Sequence, residues 1–298
     1  MIRVNGARAP REMTAINRWL ATAALLAGCI PGVAALEPGS ELAIQLQAER
    51  RQAAERTIAQ ATLRIESGTL DDKQLADAFR KRGIARTLLL QHGEALLDLS
   101  RAVELDPLNP QVYEDRAIAH LRLREFKQAD TDLEMALGLD TGRSVAQRDK
   151  GRLAFYRGDY EQAAQHFTRL AKHAEGRTFV YAVLWLHITI KRGGLPRPDH
   201  LATALSVIGQ AEWPAPVVGM FLGKLEPQEA IAAADSQNPQ VALMQQCEAL
   251  FYAGQRYLIG NAPSQARTAF QGAVATGVTE FLEYDWALQE LEVMDGKR

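Results

Sequence analysis

The feature that most constrains this chain is an internal period of 34 residues. The stretches "AFRKRGIARTLLLQHGEALLDLSRAVELDPLNP", "VYEDRAIAHLRLREFKQADTDLEMALGLD" and "AQRDKGRLAFYRGDYEQAAQHFTRL" share columns at that spacing. Gly83, Ala117 and Gly151 form one column, Ala95, Ala129 and Ala163 a second, and Leu99, Leu133 and Phe167 a third; Phe79 and Tyr113 keep the same interval. A fixed period of roughly 20 to 50 residues is the signature of a repeat architecture. Each stretch carries two runs with apolar residues three and four apart, the pattern of an amphipathic helix. One helix pair cannot bury two such stripes, so neighbouring pairs must stack. No segment reads as a β-strand, and the expected fold class is all-α.

These columns resemble those of the tetratricopeptide repeat (TPR), in which each unit is an antiparallel helix pair, small residues mark the close helix approach, and a proline such as Pro107 stops the second helix. The resemblance implies an α-solenoid with first helices lining a concave groove and second helices facing outward. Three units span 76–177. A fourth, 247–280, places Gly254, Ala266, Phe270 and Ala273 in the corresponding columns. Between them, 178–245 reads as degenerate helical repeats punctuated by Pro196, Pro198, Pro214 and Pro216. A leading helix is expected over 40–68, stopped by Gly68. A capping helix is expected over 281–293, with Thr279 as its N-cap, to seal the open end of the stack.

The N-terminus reads as an export signal: Arg3, Arg8, Arg11 and Arg18 precede ten uncharged residues from Trp19 to Gly28. That run is short of the ~20 residues a membrane span needs. Met13 offers a second start that gives a more ordinary signal length. Two processing routes are open. "LAGC" resembles the bacterial lipobox, which implies removal of 1–28, lipidation of Cys29 and a tether over 29–39; alternatively Val33 and Ala35 form a small-residue cleavage site that would release a soluble protein. Without residues 1–28 the chain holds 30 basic and 35 acidic residues, a net charge of −5. That disfavours nucleic acid as a partner. The second cysteine, Cys247, lies in an apolar helical context and reads as a buried hydrophobe.

Patterns that carry chemistry are missing. The six histidines form no HExxH and have no cysteine company, and no GxSxG, phosphate loop or dinucleotide fingerprint occurs. Neither a metal nor a cofactor is expected, and the chain is expected not to be an enzyme. Charge is unevenly placed instead. Across residues 79–90, 111–124 and 145–157 the first helices sum to +8, and across 94–106, 127–140 and 159–172 the second helices sum to −6. By the TPR resemblance the groove stations are Arg80, Ile84, Leu88, Ile118, Leu121, Arg122, Arg148, Arg152, Phe155 and Tyr156, offset by Asp77 and Glu114. A cationic groove with aromatic anchors favours an acidic or C-terminal peptide; bridging of these cations to the acidic second helices is the other use for them. The carboxylate clamp of chaperone-binding TPR domains is not expected, because Arg80, Ile84, Glu114 and Ile118 stand where it needs lysine and asparagine. Reversing Arg122 and Arg152 to glutamate is expected to weaken partner capture and leave the fold intact.

The order of elements, with "WPAPVVGMFLGKLEPQEAI" in the degenerate middle and "FYAGQRYLIGNAPSQARTAFQGAVATGVTEFLEYDWALQEL" at the end, is similar to that of the NlpI-type TPR lipoproteins of Gram-negative bacteria over about residues 40–293. The resemblance implies an outer-membrane lipoprotein facing the periplasm, a non-catalytic adaptor for cell-wall hydrolases and a processing protease, and a homodimer. Apolar Leu42, Ile44, Leu46, Ile58, Leu63 and Ile65 make the leading helix the expected dimer element. The competing expectation is an assembly component of an envelope or polysaccharide export complex.

Overall fold

The computed structural model describes residues 41–197, 200–209 and 212–296, with the side chains of Leu42 and Ala43 left out of account. The export signal, Met13, Cys29 and the tether lie outside the described residues. Among those residues there are fourteen helices and no strand. They run α1 Glu41–Glu66, α2 Asp72–Leu88, α3 His92–Leu105, α4 Pro110–Arg122, α5 Phe126–Leu139, α6 Ser144–Tyr156, α7 Tyr160–His173, α8 Gly176–Gly193, α9 Leu201–Ile208, α10 Ala215–Phe221, α11 Pro227–Ala232, α12 Pro239–Ile259, α13 Pro263–Ala275 and α14 Leu282–Met294. Consecutive helices pack on one another from α1 onward, so the all-α stacked architecture is what the chain adopts.

The 34-residue columns are the points of closest approach within each pair. Ala95, Ala129, Ala163 and Ala266 are fully buried, as are Leu99, Leu133, Phe167 and Phe270. A methyl group on Gly83 would stand 2.7 Å from Leu99 Cγ, and one on Gly151 would stand 2.7 Å from the Phe167 ring; at Gly254 the Phe270 ring is closer still. Interiors are packed to crystal-like density, so the large residue on one helix dictates the missing side chain on the other.

The turns inside the pairs repeat as well. Leu90, Arg124, Gly158 and Asn261 all take left-handed φ, between 55° and 80°. The residue after each donates its N–H to a carbonyl five residues back, as in Gln91 to Arg86 at 3.0 Å and Glu125 to His120 at 2.9 Å, and this ties off a helix C-terminus. Starts are fixed by side chains: Asp71 makes a capping box with Gln74, and Asn109, Asp159 and Asn238 each accept a backbone N–H in the first turn.

A polar bridge shares the period. Arg82 grips Asp98 through 2.7 and 2.9 Å bonds and lies over the Phe79 ring; Arg116 grips Asp132 through 2.6 and 2.8 Å bonds and lies over Tyr113. In the third unit Lys150 stands in the arginine place and reaches Asp130 and Glu134, while His166, in the aspartate place, is joined at 2.9 Å to Gln147, which stands in the aromatic place. Much of the positive charge on the first helices therefore answers the negative charge on the second helices.

On α1, Leu46, Ala54 and Ala61 are buried and Ile58 and Ile65 are half-buried, whereas Ile44 and Leu63 are 58% and 69% exposed. Cys247 is buried against the Ala273 carbonyl, and burial pushes its thiol far above the usual range.

Candidate functional site

The groove formed by α2, α4, α6 and α8 already holds a helix of the same chain. α14 packs one face on α13 and α12 and turns its acidic face toward the first helices. Glu283 meets Arg152 at 2.6 Å, Asp285 meets Arg122 at 3.1 Å, Glu292 meets Arg124 at 2.8 Å, and Glu290 meets Arg192 at 3.2 Å while accepting a 2.7 Å bond from Gln255. Arg124 also touches Gln289, and the Trp286 indole stacks on Tyr156.

The segment leading into α14 is held in the same way. Arg122 donates to the Thr279 carbonyl at 2.7 Å and to the Thr87 carbonyl at 3.2 Å, the Thr279 hydroxyl donates to the Leu88 carbonyl at 3.3 Å, and Arg50 of α1 pairs with Glu280 at 2.6 Å. The two ends of the solenoid thus meet. Thr279 does not cap the last helix as expected: the N-cap is Phe281, which makes no side-chain cap bond. Thr279 is used to join α14 to α2 instead, because helix entry is set two residues later.

The ten expected groove stations fall into distinct environments. Arg122 and Arg152 have side chains 3% and 4% exposed and are spent on α14. Tyr156 lies beneath Trp286, and Leu121 shares with it a small recess of about 70 Å³. Phe155 is in the core, edge-on to Trp185, and Ile118 is half-buried against the same core. Arg80 pairs with Asp115 at 3.0 Å and Asp77 at 3.4 Å, and Arg148 forks onto buried Asp149 at 2.8 and 3.0 Å. Ile84 and Leu88 alone among the ten line an open cavity of about 920 Å³, which lies between α1, α2 and residues 277–280.

Charge reversal at Arg122 and Arg152 would consequently set glutamates against Asp285 and Glu283 in a buried interface. Like charges there would break the closure, so the expectation that such a variant keeps its fold is corrected. The residues that sequence reasoning missed are Arg50, Arg192, Gln255 and the acids of 280–292. Their one visible signal was sign: that segment holds five carboxylates and no basic residue, opposite to the first helices.

Burial shifts two carboxyls in this region. Glu248 accepts 3.0 Å and 2.5 Å bonds from the Tyr181 hydroxyl and Trp213 Nε1; burial, helped by nearby Glu283, pushes it up to about 8. Asp285 is pushed up to about 6 by burial, with Arg122 opposing the shift. Glu114, 3% exposed on its side chain, accepts from Arg143 and from the Ala146 N–H and so ties the second unit to the third. Among the described residues no group of three His, Cys, Asp or Glu side chains is placed to hold a metal ion, and no helix is long and apolar enough to cross a membrane.

No protein family's sequence profile matches the chain. Among solved structures it is similar to a tetratricopeptide repeat protein from Parabacteroides merdae, at 15% identity and a TM-score of 0.50, over 84% of this chain and 99% of that one. It is also similar to Pseudomonas aeruginosa pilF, at 15% identity and a TM-score of 0.43 over 74% of this chain and 99% of that one. Yeast Tom70 matches at 14% identity and a TM-score of 0.46, over 96% of this chain and 72% of that one. With its stacked helix pairs, its 34-residue columns of close approach and its likeness to the Parabacteroides merdae structure, the chain has the fold of a tetratricopeptide-repeat solenoid.

Proposed function

We propose that the chain is a non-catalytic scaffold that holds protein partners in the periplasm, tethered to the outer membrane through lipidated Cys29, with cell-wall hydrolases or a processing protease as the partner class. The observation that carries the reading is the open cavity between α1 and α2. Its apolar floor includes Ile58, Ile84 and Leu88, its rim holds Arg50, Arg51, Lys81 and Arg86 against Glu55 and Glu280, and this size and mixture suit a peptide segment. The export signal and "LAGC" support the address.

A photo-reactive residue in place of Leu88, 37% exposed at the cavity, tests this in the cell envelope. Cross-links to a hydrolase or protease are the expected result. Cross-links to an export assembly would favour the assembly-component reading, and none above those of a probe in place of exposed Glu104 would remove the cavity as a docking site. Intact mass of the membrane fraction reads lipidation of Cys29 directly.

A further inference from the structure

We propose that α14 is a displaceable plug, and that the groove of α4, α6 and α8 takes an acidic, aromatic-bearing helix from a partner protein in its place. The inference rests on the scaffold reading above and adds how that scaffold is gated. The chemistry of the incoming helix is read from the one now present: carboxylates at Glu283, Asp285 and Glu290 meet Arg152, Arg122 and Arg192, and the Trp286 indole covers Tyr156. A partner helix with the same spacing of acids around one aromatic finds the same four receptors.

α14 keeps Leu282, Ala287 and Leu291 in the core, and what sets its groove-facing side apart is an incomplete polar fit. Among the described residues five buried side-chain polar atoms lie without a hydrogen-bond partner where the C-terminal segment meets the groove: Arg50 Nη2, Arg122 Nε, Arg152 Nε, Asp285 Oδ2 and Trp286 Nε1. Arg122 Nε and Asp285 Oδ2 stand 3.1 Å apart without the alignment of a hydrogen bond. Buried polar atoms are satisfied in the great majority of native contacts, so unsatisfied ones gathered at one contact call for a reason, and exchange of α14 for a partner helix supplies one. The connection to α13 is residues 276–281, where Gly277 takes φ +65°, and displacement of α14 requires release of the Thr279 and Glu280 contacts described above.

The test uses the full chain in a Cys29→Ser background, with cysteines replacing Arg124 and Gln289, whose side chains touch across the groove. The probe is a fluorescent synthetic peptide with the sequence of residues 278–296, followed by anisotropy. The unlinked protein is expected to bind it, and joining the two cysteines with a short bis-maleimide to weaken binding at least tenfold. Trp286→Ala in the unlinked chain is expected to tighten binding at least tenfold. Equal binding by linked and unlinked protein would overturn the plug. Because Trp286→Ala also removes an aromatic from the core, amide exchange on the unaltered chain gives a second reading: 282–294 should exchange at least tenfold faster than α12, and equal protection would also overturn the proposal. Neither measurement needs a natural partner, so the plug can fail while envelope cross-linking at Leu88 succeeds, and the reverse.

Discussion

The indole of Trp286 lies flat on the phenol ring of Tyr156, with centroids 4.3 Å apart and planes within 6° of parallel. The two residues are 130 positions apart and belong to the last and the sixth helices, so this stack is a direct measure of how the two halves of the solenoid meet. Trp286 is 4% exposed and sits among Leu121, Leu282 and the α4 turn. Trp286→Ala is expected to lower stability by about 3–5 kcal/mol, the usual range for an aromatic lost from a core. Urea unfolding followed by circular dichroism measures it.

Arg152 and Glu283 make the most enclosed ion pair of the closure, with side chains 4% and 9% exposed. Arg152 also stands 3.5 Å from Asp149 and over the Trp185 ring, so it is held on three sides. Arg152→Met strands Glu283 in the interior and is expected to cost about 3–5 kcal/mol. Asp149 keeps its fork from Arg148, so adding Glu283→Leu removes the stranded charge and should recover most of that loss. A double-mutant cycle in urea checks the coupling; additive losses would show that the pair carries none.

Stability should fall as pH rises through neutrality on account of Glu248. Its folded value, about 8, lies above the ordinary 4.5, so between these values the folded state holds a proton that the unfolded state has released. The favourable contribution is complete below the unfolded value and is lost as pH climbs to the folded one. Asp285, at about 6, acts in the same direction over a lower window. Glu248→Gln keeps an acceptor for Tyr181 and Trp213 without a charge, so it should raise Tm at about pH 8 and leave it nearly unchanged at about pH 5. Thermal melts across that range give the slope.

Leu90 holds a left-handed turn at φ 60° where the equivalent third-unit residue is Gly158. A β-carbon in that conformation costs roughly 1–2 kcal/mol, part of which glycine gives back through a freer unfolded chain. Leu90→Gly is expected to stabilise by about 0.5–1 kcal/mol, since the leucine side chain is 52% exposed and its removal leaves no core gap. Gly158→Ala should do the opposite. Paired melts of the two variants decide the sign.

The helix pairs were legible in the sequence because each rests on contacts between residues about 16 positions apart, repeated at a fixed period. Gly83 with Leu99 and Gly151 with Phe167 show this directly. The acidic second helices were visible too, and Asp98 and Asp132 do receive Arg82 and Arg116. The occupation of the groove was not legible. Arg122 and Asp285 are brought together by the summed curvature of every intervening pair, and no local pattern encodes that sum. The same holds for Thr279, which looks like a cap beside an acidic helix and is used, through its carbonyl and hydroxyl, to reach α2 and α4.

The meeting of Arg50 with Glu280 alters how the molecule can come apart. A repeat array with two loose ends unravels from either one, each terminal pair having a single neighbour to hold it. Here the first helix and the approach to the last clasp each other, so neither is terminal in the mechanical sense. Fraying must begin by opening the clasp, and the chain resists pulling less like a coil spring than like a closed bracelet whose weakest point is its fastening.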